Sequence, residues 1–399
     1  MTNEKPTKPI INSLCDLDYY KLTMMNFVYY YESNAQVKYK FTCRKKVDFT
    51  DSFEEIKEQV RMLGDLRFTE LELEYLSKIP YFRESFIRYL RGFSLNPNDV
   101  TIEKNGVDLD ITIEGPWVNT ILFETLIMAI ISEVYFKRKF RGESYKDVRR
   151  EGRKRLDEKI QFLMELKGKN LISFAEFGTR RRFSQVWQEE VVMALKKSGY
   201  SGFVGTSNVY LAMKHRLKPI GTMAHELLCA HAGFTRPDKS VKLALKRWLE
   251  FYEGNLGTAL TDTYTTDHFL KDFNGTLARG FTGVRQDSGD PIEWGYKMIN
   301  HYNELGINLK LKNIMLLFSD GLDFKSALKI HKEFNPLAKV SFGIGTDLTN
   351  DMGEDALNIV IKMVECEGFP LIKISDSPGK TMCEDEEYKS FALKLFGVK

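Results

Sequence analysis

Four short runs carry the residue types from which phosphate chemistry is built. Arg285-Gln-Asp-Ser-Gly-Asp-Pro291 places a guanidinium and a carboxylate two residues apart, on one side of an extended strand. Arg285 can fork onto a pyrophosphate while Asp287 accepts ribose hydroxyls or helps to hold Mg²⁺. An internal Arg–Asp pair capping the helix from Pro291 is the plainer alternative. Ser319-Asp-Gly321 repeats the logic, with the acid Asp320 beside Gly321. Gly343-Ile-Gly-Thr346 follows the apolar run Val340-Ser-Phe342. Glycines there let backbone N–H groups approach a phosphate, although two glycines after a strand also make an ordinary turn. His225 closes Gly221-Thr-Met-Ala-His225 and is either a structural histidine or a catalyst. Its spacing of six from His231 fits neither a helical i, i+4 pair nor a zinc motif. No G-x-x-x-x-G-K-[ST] run is present, so a nucleotide would be held without a P-loop.

These residues need strand ends to stand on, and the chain after residue 170 supplies them. Short apolar runs end in polar, glycine-containing turns at Phe177, Gly205, Gly221, Thr261, Arg285, Ser319 and Gly343. Helical patterns over 239–252, 291–304 and 323–334 separate several of them, which is the alternation of a parallel sheet. Seven such units predict an irregular α/β barrel whose turns converge at its C-terminal face. The first third reads differently. Residues 36–44 alternate as a half-buried strand, 52–63 carries one apolar helical stripe, and Asn105-Gly106 joins two alternating runs as a β-hairpin. The apolar run Trp117–Phe136 is interrupted by Asn119, Glu124 and Glu133, which hydrocarbon would not tolerate, so it predicts a buried helix.

Composition bounds the rest. The chain has 399 residues, 58 Lys+Arg against 55 Asp+Glu, and 43% apolar residues, which excludes a disordered chain, and 28 Gly with 11 Pro exclude a collagen-like one. Five cysteines with no C-x-x-C pair are not a disulfide framework, and the polar N-terminus is no secretory signal, so a cytoplasmic setting is expected. Segment 137–168 holds 12 basic and 6 acidic residues. It is either a solvated connecting helix or a basic wall facing phosphates; nucleic-acid binding would want interleaved aromatics that it lacks. The expected division is an N-terminal α/β sandwich domain over 1–140, a basic connecting helix over 141–170 and a barrel over 171–375. A C-terminal segment, 376–399, is expected to pack back on the sandwich domain.

Taken in order, Asp16-Leu-Asp-Tyr-Tyr-Lys-Leu-Thr-Met24, Glu114-Gly-Pro-Trp117, Phe174-Ala-Glu-Phe-Gly-Thr-Arg-Arg181, Gly205-Thr-Ser-Asn208, Gly221-Thr-Met-Ala-His-Glu226 and the three later runs closely resemble the bacterial nicotinate phosphoribosyltransferases over nearly the whole length. The resemblance implies an irregular α/β barrel of the type II phosphoribosyltransferases beside an N-terminal α/β sandwich. It also implies transfer of phosphoribose from 5-phosphoribosyl-1-diphosphate to nicotinate, with ATP and Mg²⁺, in NAD salvage. By the same resemblance His225 is the transient phosphohistidine, Arg285 and Asp287 act with it, and Phe177 stacks on the acceptor ring. Thr179, Arg180, Asp320, Gly321, Gly343, Gly345 and Thr346 become substrate contacts. Tyr20 becomes an aromatic lent by the other subunit of a homodimer with a shared site. Ser207, a hydroxyl where the related nicotinamide enzyme carries an acid, points to a carboxylate acceptor. The alternatives are a nicotinamide or quinolinate phosphoribosyltransferase, or a non-catalytic phosphoribose-binding barrel. Neither a nucleic-acid nor a membrane partner is expected.

Overall fold

The computed structural model describes residues 8–166, 168–377 and 379–398. Two sheets organise them. The first is antiparallel and begins with β1 (Gln36–Cys43), whose alternation buries Val37, Tyr39 and Phe41. β2 (Val100–Asn105) and β3 (Asp108–Pro116) form the hairpin, with Gly106 at φ +63° in the turn that Asn-Gly favours. The second sheet is parallel and contains β4 (Phe174–Glu176), β5 (Phe203–Thr206), β6 (Thr258–Leu260), β7 (Gly283–Gln286), β8 (Met315–Phe318) and β9 (Lys339–Ile344), in the order β5-β4-β9-β8-β7-β6. Strands such as β4 and β6 are buried throughout, as expected where helices cover a parallel sheet. Side-chain caps restart helices after several of these strands. Asn208 accepts from Leu211 N, Thr265 from His268 N, Asp290 from Ile292 N and Asp323 from Ser326 N.

The barrel has six hydrogen-bonded strands, not seven. The predicted unit ending at Gly221 is an extended segment lying between β5 and β6. Pro219 makes a single parallel bridge with Thr206, and the Thr222 hydroxyl donates to the Thr258 carbonyl at 2.9 Å. Pro219 has no N–H to give to a ladder, which is one reason the segment does not become a full strand.

Two expected boundaries also move. β10 (Ile359–Cys366) and β11 (Phe369–Pro370) fall inside the stretch assigned to the barrel, yet they complete the antiparallel sheet, in the order β11-β10-β1-β3-β2. β10 pairs with β1 from Val37–Cys366 to Cys43–Ile359. Where it is described, the helix of the C-terminal segment packs on the barrel side. This helix, Glu386–Phe396, stacks Phe396 on Tyr264 at 4.0 Å and sets it edge-on to His268 at 4.7 Å. Such an aromatic pair contributes about 0.5–1.5 kcal/mol beyond its buried area. Ahead of that helix, Asp376 accepts from the backbone N–H (2.8 Å) and hydroxyl (2.5 Å) of Thr266, and Ser377 Oγ accepts from Gly289 N at 2.9 Å.

The span Trp117–Lys139 is long and apolar enough to cross a membrane, but 89% of its most apolar window is buried within the protein, so it serves as a core helix. The basic segment forms the helix Tyr145–Glu165. Its charges are largely paired at the surface: Arg149 with Glu190, Arg155 with Glu151 and Asp351, and Lys159 with Asp347 and Asp351. Among the described residues, none of 137–168 lines the cleft described below. The plain reading of a connecting helix therefore replaces the basic wall.

Candidate active site

The C-terminal ends of the parallel strands open into a cleft of about 440 Å³. Phe177 follows β4, Arg285 and Asp287 come from β7 and its turn, Ser319 and Asp320 follow β8, and Gly343, Gly345 and Thr346 come from β9 and its turn. His225 enters at the start of the helix His225–Ala230.

His225 lies between two acids. Its Nε2 is 3.2 Å from Asp287 Oδ2 and 3.3 Å from Asp262 Oδ1, while Nδ1 is 3.1 Å from Thr263 Oγ1. Burial, with Lys373 nearby, pulls the imidazole below the ordinary histidine value against the opposite pull of Asp262 and Asp287. Burial raises the Asp287 carboxyl, but Arg285 and the His225 ring outweigh it and hold it well below the usual carboxylate range. The ring thus sits with Nε2 facing two carboxylates and Nδ1 facing the Thr263 hydroxyl.

Each acid is anchored in turn. Arg285 donates from Nη2 to Asp287 Oδ1 at 2.8 Å and from Nε to Ser319 Oγ at 2.8 Å, and the Ser319 hydroxyl is 3.0 Å from Asp287 Oδ1. Asp262 is wholly buried and accepts from Ser288 Oγ at 2.5 Å and Lys373 Nζ at 3.2 Å. Asp320 is gripped by Lys380, whose Nζ is 2.9 Å from both carboxylate oxygens. Gly321 beside it has φ +59°, a conformation that favours glycine.

Sequence reasoning missed Asp262, although its turn was one of the seven, and it missed most of the cations. Arg44 follows β1 and Lys362 lies on β10, so the antiparallel sheet delivers both to the barrel mouth. Lys373 lies just ahead of the C-terminal segment and Lys380 within it. Lys362 Nζ is buried with no hydrogen-bond partner. Burial, then Lys373 and Arg44, push it down to about 7. Arg181 also lines the cleft and has no ion-pair partner among the described residues; burial, then Arg180 and Arg44, push it down to about 10. A pocket that crowds unpaired cations is built for a polyanion.

Several predicted contacts take other roles. The space over Gly343 belongs to Phe177: a Cβ there would sit 2.4 Å from that ring, so this glycine seats the ring. Gly345 keeps its surroundings open, with nothing nearer than 3.5 Å to such a Cβ. Thr179 is wholly buried and accepts from Gln188 Nε2 at 3.0 Å. The Ser207 hydroxyl donates to Asp18 at 2.5 Å. Arg180 Nε is 3.3 Å from Asp18 and its Nη1 3.5 Å from Glu124. The Tyr20 ring lies 5.6 Å from the Arg180 guanidinium of the same chain, and its hydroxyl donates to Glu124 at 3.5 Å. Within one chain Tyr20 thus stands beside Arg180 and Glu124.

An irregular α/β barrel with an acid-flanked histidine, a ring seat and a cation-lined mouth defines a phosphate-handling transferase. Comparison with known proteins makes the class specific. Residues 15–132 match the nicotinate phosphoribosyltransferase N-terminal domain and residues 172–399 match the nicotinate phosphoribosyltransferase family. The nicotinate phosphoribosyltransferase of Burkholderia mallei is 45% identical over 395 residues, covering 98% of this chain and 97% of that protein. The crystal structure of nicotinate phosphoribosyltransferase from Vibrio cholerae superposes with a TM-score of 0.92 at 40% identity, covering 99% of this chain and 95% of the other. That from Porphyromonas gingivalis superposes at 0.90 with 34% identity, covering 98% and 100%. The chain belongs to the nicotinate phosphoribosyltransferase family of enzymes.

Proposed function

We propose that the protein transfers phosphoribose from 5-phosphoribosyl-1-diphosphate to nicotinate, giving nicotinate mononucleotide and diphosphate for NAD biosynthesis. The observation that carries this reading is the meeting in one cleft of an aromatic seat, an acid-flanked histidine and a set of cations drawn from both sheets. As diphosphate departs, positive charge grows on the ribose ring and negative charge on the leaving group. Arg285, Arg44, Lys362, Lys373 and Lys380 surround the space where the leaving charge would develop. Phe177 presents a face for the acceptor ring. Arg181, which has no counterion among the described residues, and Arg180, whose contact with Glu124 is long at 3.5 Å, both line the cleft and can meet the acceptor carboxylate.

ATP drives the reaction through His225 in this reading. The neutral ring attacks the terminal phosphorus through Nδ1, ADP leaves, and Asp262 and Asp287 hold the Nε2 proton and steady the cationic ring that forms. Hydrolysis of the phosphohistidine returns the resting state. Mg²⁺ suits the site only as a companion of the phosphates. No group of three or more metal-binding side chains gathers among the described residues, whereas Mg²⁺ commonly sits on one or two carboxylates plus substrate oxygens. Asp287 and Asp320 are the carboxylates that would hold it, and there it would neutralise diphosphate charge. The resemblance implies a homodimer with a shared site, to which Tyr20 of the partner subunit would contribute. All five cysteines are free, which supports a reducing cytoplasm as the setting.

Purified protein with nicotinate, 5-phosphoribosyl-1-diphosphate, Mg²⁺ and ATP should yield nicotinate mononucleotide. Equal turnover of nicotinamide would overturn the acceptor assignment. Mass spectrometry after ATP treatment should find an acid-labile phosphate on His225, and His225→Ala should lose ATP-dependent stimulation. Full ATP stimulation in that variant would remove the phosphohistidine step.

A further inference from the structure

Behind the cleft wall lies a buried ion cluster that none of the steps above uses. Lys21, on the helix Tyr19–Tyr31, is wholly buried, and its Nζ pairs with two acids at once, Glu124 at 2.5 Å and Glu226. The other oxygen of Glu226 accepts from Trp117 Nε1 at 2.7 Å and from the Tyr39 hydroxyl at 2.8 Å. The other oxygen of Glu124 faces Arg180 at 3.5 Å. Glu226 directly follows His225 in the same short helix. Arg180, Glu124, Lys21 and Glu226 therefore form a continuous line of ion pairs from the wall beside Phe177 to the residue that carries His225.

Stability does not account for this arrangement. A buried ion pair is costly to desolvate, and apolar residues of similar shape often serve a fold equally well. The two acids that flank Lys21, Glu124 and Glu226, both line the cleft, while Lys21 lies behind them and does not line it. Among the described residues Lys21 is the only cation paired with Glu226. The line also has a point at which an acceptor can act on it: an anionic ring carboxylate beside Phe177 competes with Glu124 for Arg180.

We propose that Lys21 is a positioning residue that couples occupation of the acceptor site to the ATP-dependent step at His225. A bound carboxylate draws Arg180 off Glu124, Glu124 then leans fully on Lys21, and the changed balance at Glu226 resets the start of the His225 helix. Coupling of this kind is reciprocal: acceptor and ATP each alter the affinity for the other by the same factor. The inference rests on the phosphohistidine reading above.

The test measures ADP released per nucleotide formed, with KM for nicotinate and for 5-phosphoribosyl-1-diphosphate, in the wild type, Lys21→Met, Lys21→Arg and Glu226→Gln. In Lys21→Met, ADP per nucleotide should rise about fivefold and KM for nicotinate by a similar factor, while KM for the phosphoribosyl donor stays within about twofold. Lys21→Arg, which keeps the charge, should recover part of the coupling. A merely structural role would lower the melting temperature and slow turnover while leaving ADP per nucleotide at the wild-type value, and that result in folded Lys21→Met overturns the proposal. Should Lys21→Met not fold, Glu226→Gln decides. It keeps an oxygen for Trp117 and Tyr39 but loses the pairing with Lys21, and wild-type coupling in it overturns the proposal. Absence of ATP coupling in the wild type would instead overturn the phosphohistidine reading itself.

Discussion

At the scale of single residues, the structure turns on how charges are paired. Lys362 enters the cleft without a partner and with its ammonium pushed down to about 7 by burial and by Lys373 and Arg44. Diphosphate binding would bring negative charge to it and raise that value. The sign follows: below pH 7 the lysine is already charged and affinity is flat, whereas above pH 7 binding must take up a proton. The Kd for diphosphate should therefore weaken as pH rises, by up to about tenfold per unit until the bound value is passed. Calorimetric titration with inorganic diphosphate from pH 6 to 9 would show it, and Lys362→Met should flatten the profile. Gly343 sets a second expectation. An added methyl meets the Phe177 ring at 2.4 Å, an overpacking that commonly costs about 1–3 kcal/mol. Gly343→Ala should thus displace the ring and raise KM for nicotinate more than KM for the phosphoribosyl donor, which steady-state kinetics would resolve.

At the scale of elements, the turn after β4 shows what sequence patterns reveal and what they hide. Phe177 was legible as a strand-end aromatic, but the side chain that organises its turn was not. Glu176 is wholly buried and accepts from Gly178 N, from Thr206 Oγ1 at 2.5 Å and from Gln188 Nε2 at 3.1 Å. It ties β4, β5 and the helix Gln185–Ser198 together beneath the ring seat. Glu176→Ala leaves these donors unsatisfied and should cost about 1–3 kcal/mol, read as a lowered melting temperature, with KM for nicotinate rising in parallel. The alternation of β1 and the Asn-Gly hairpin were also legible, because local periodicity and turn chemistry determine them. The membership of β10 was not. Ile359, Ile361 and Met363 alternate with Val360 and Lys362 as a half-buried antiparallel strand does, while β4 and β6 are buried throughout. That contrast was present in the sequence, but partner choice is a long-range matter that periodicity does not encode. The cations were missed for the same reason, since Arg44 and Lys362 become site residues only once β10 pairs with β1.

At the scale of the whole molecule, the catalytic mouth is a joint between two sheets, with the C-terminal segment strapped across it. Asp376 N donates to Ser288 Oγ at 3.1 Å, Ser288 donates to Asp262, and Asp262 faces His225, so the strap reaches His225 through two residues. If Tyr20 serves the partner's site, as the resemblance implies, mixing Tyr20→Ala and His225→Ala subunits should restore partial activity, and no activity above the sum of the two variants would count against it. Recovery on mixing would mean that sites are shared between subunits. A fragment beginning at residue 172 would keep the six-stranded barrel but lose Arg44 and leave β10 without β1. It should be poorly soluble and fail to bind inorganic diphosphate, which expression and calorimetry would check.

The return of β10 to β1 also sets a timetable for synthesis. As the chain leaves the ribosome, β1, β2 and β3 emerge early, but the strand that covers the open edge of β1 is made some 320 residues later. Until then that edge presents unpaired N–H and C=O groups, and uncovered edges invite pairing with other chains. Contacts so distant along the sequence also form slowly. The nascent protein thus passes most of its synthesis with an incomplete first layer, and a chaperone that shields strand edges would be of most use to it in that interval.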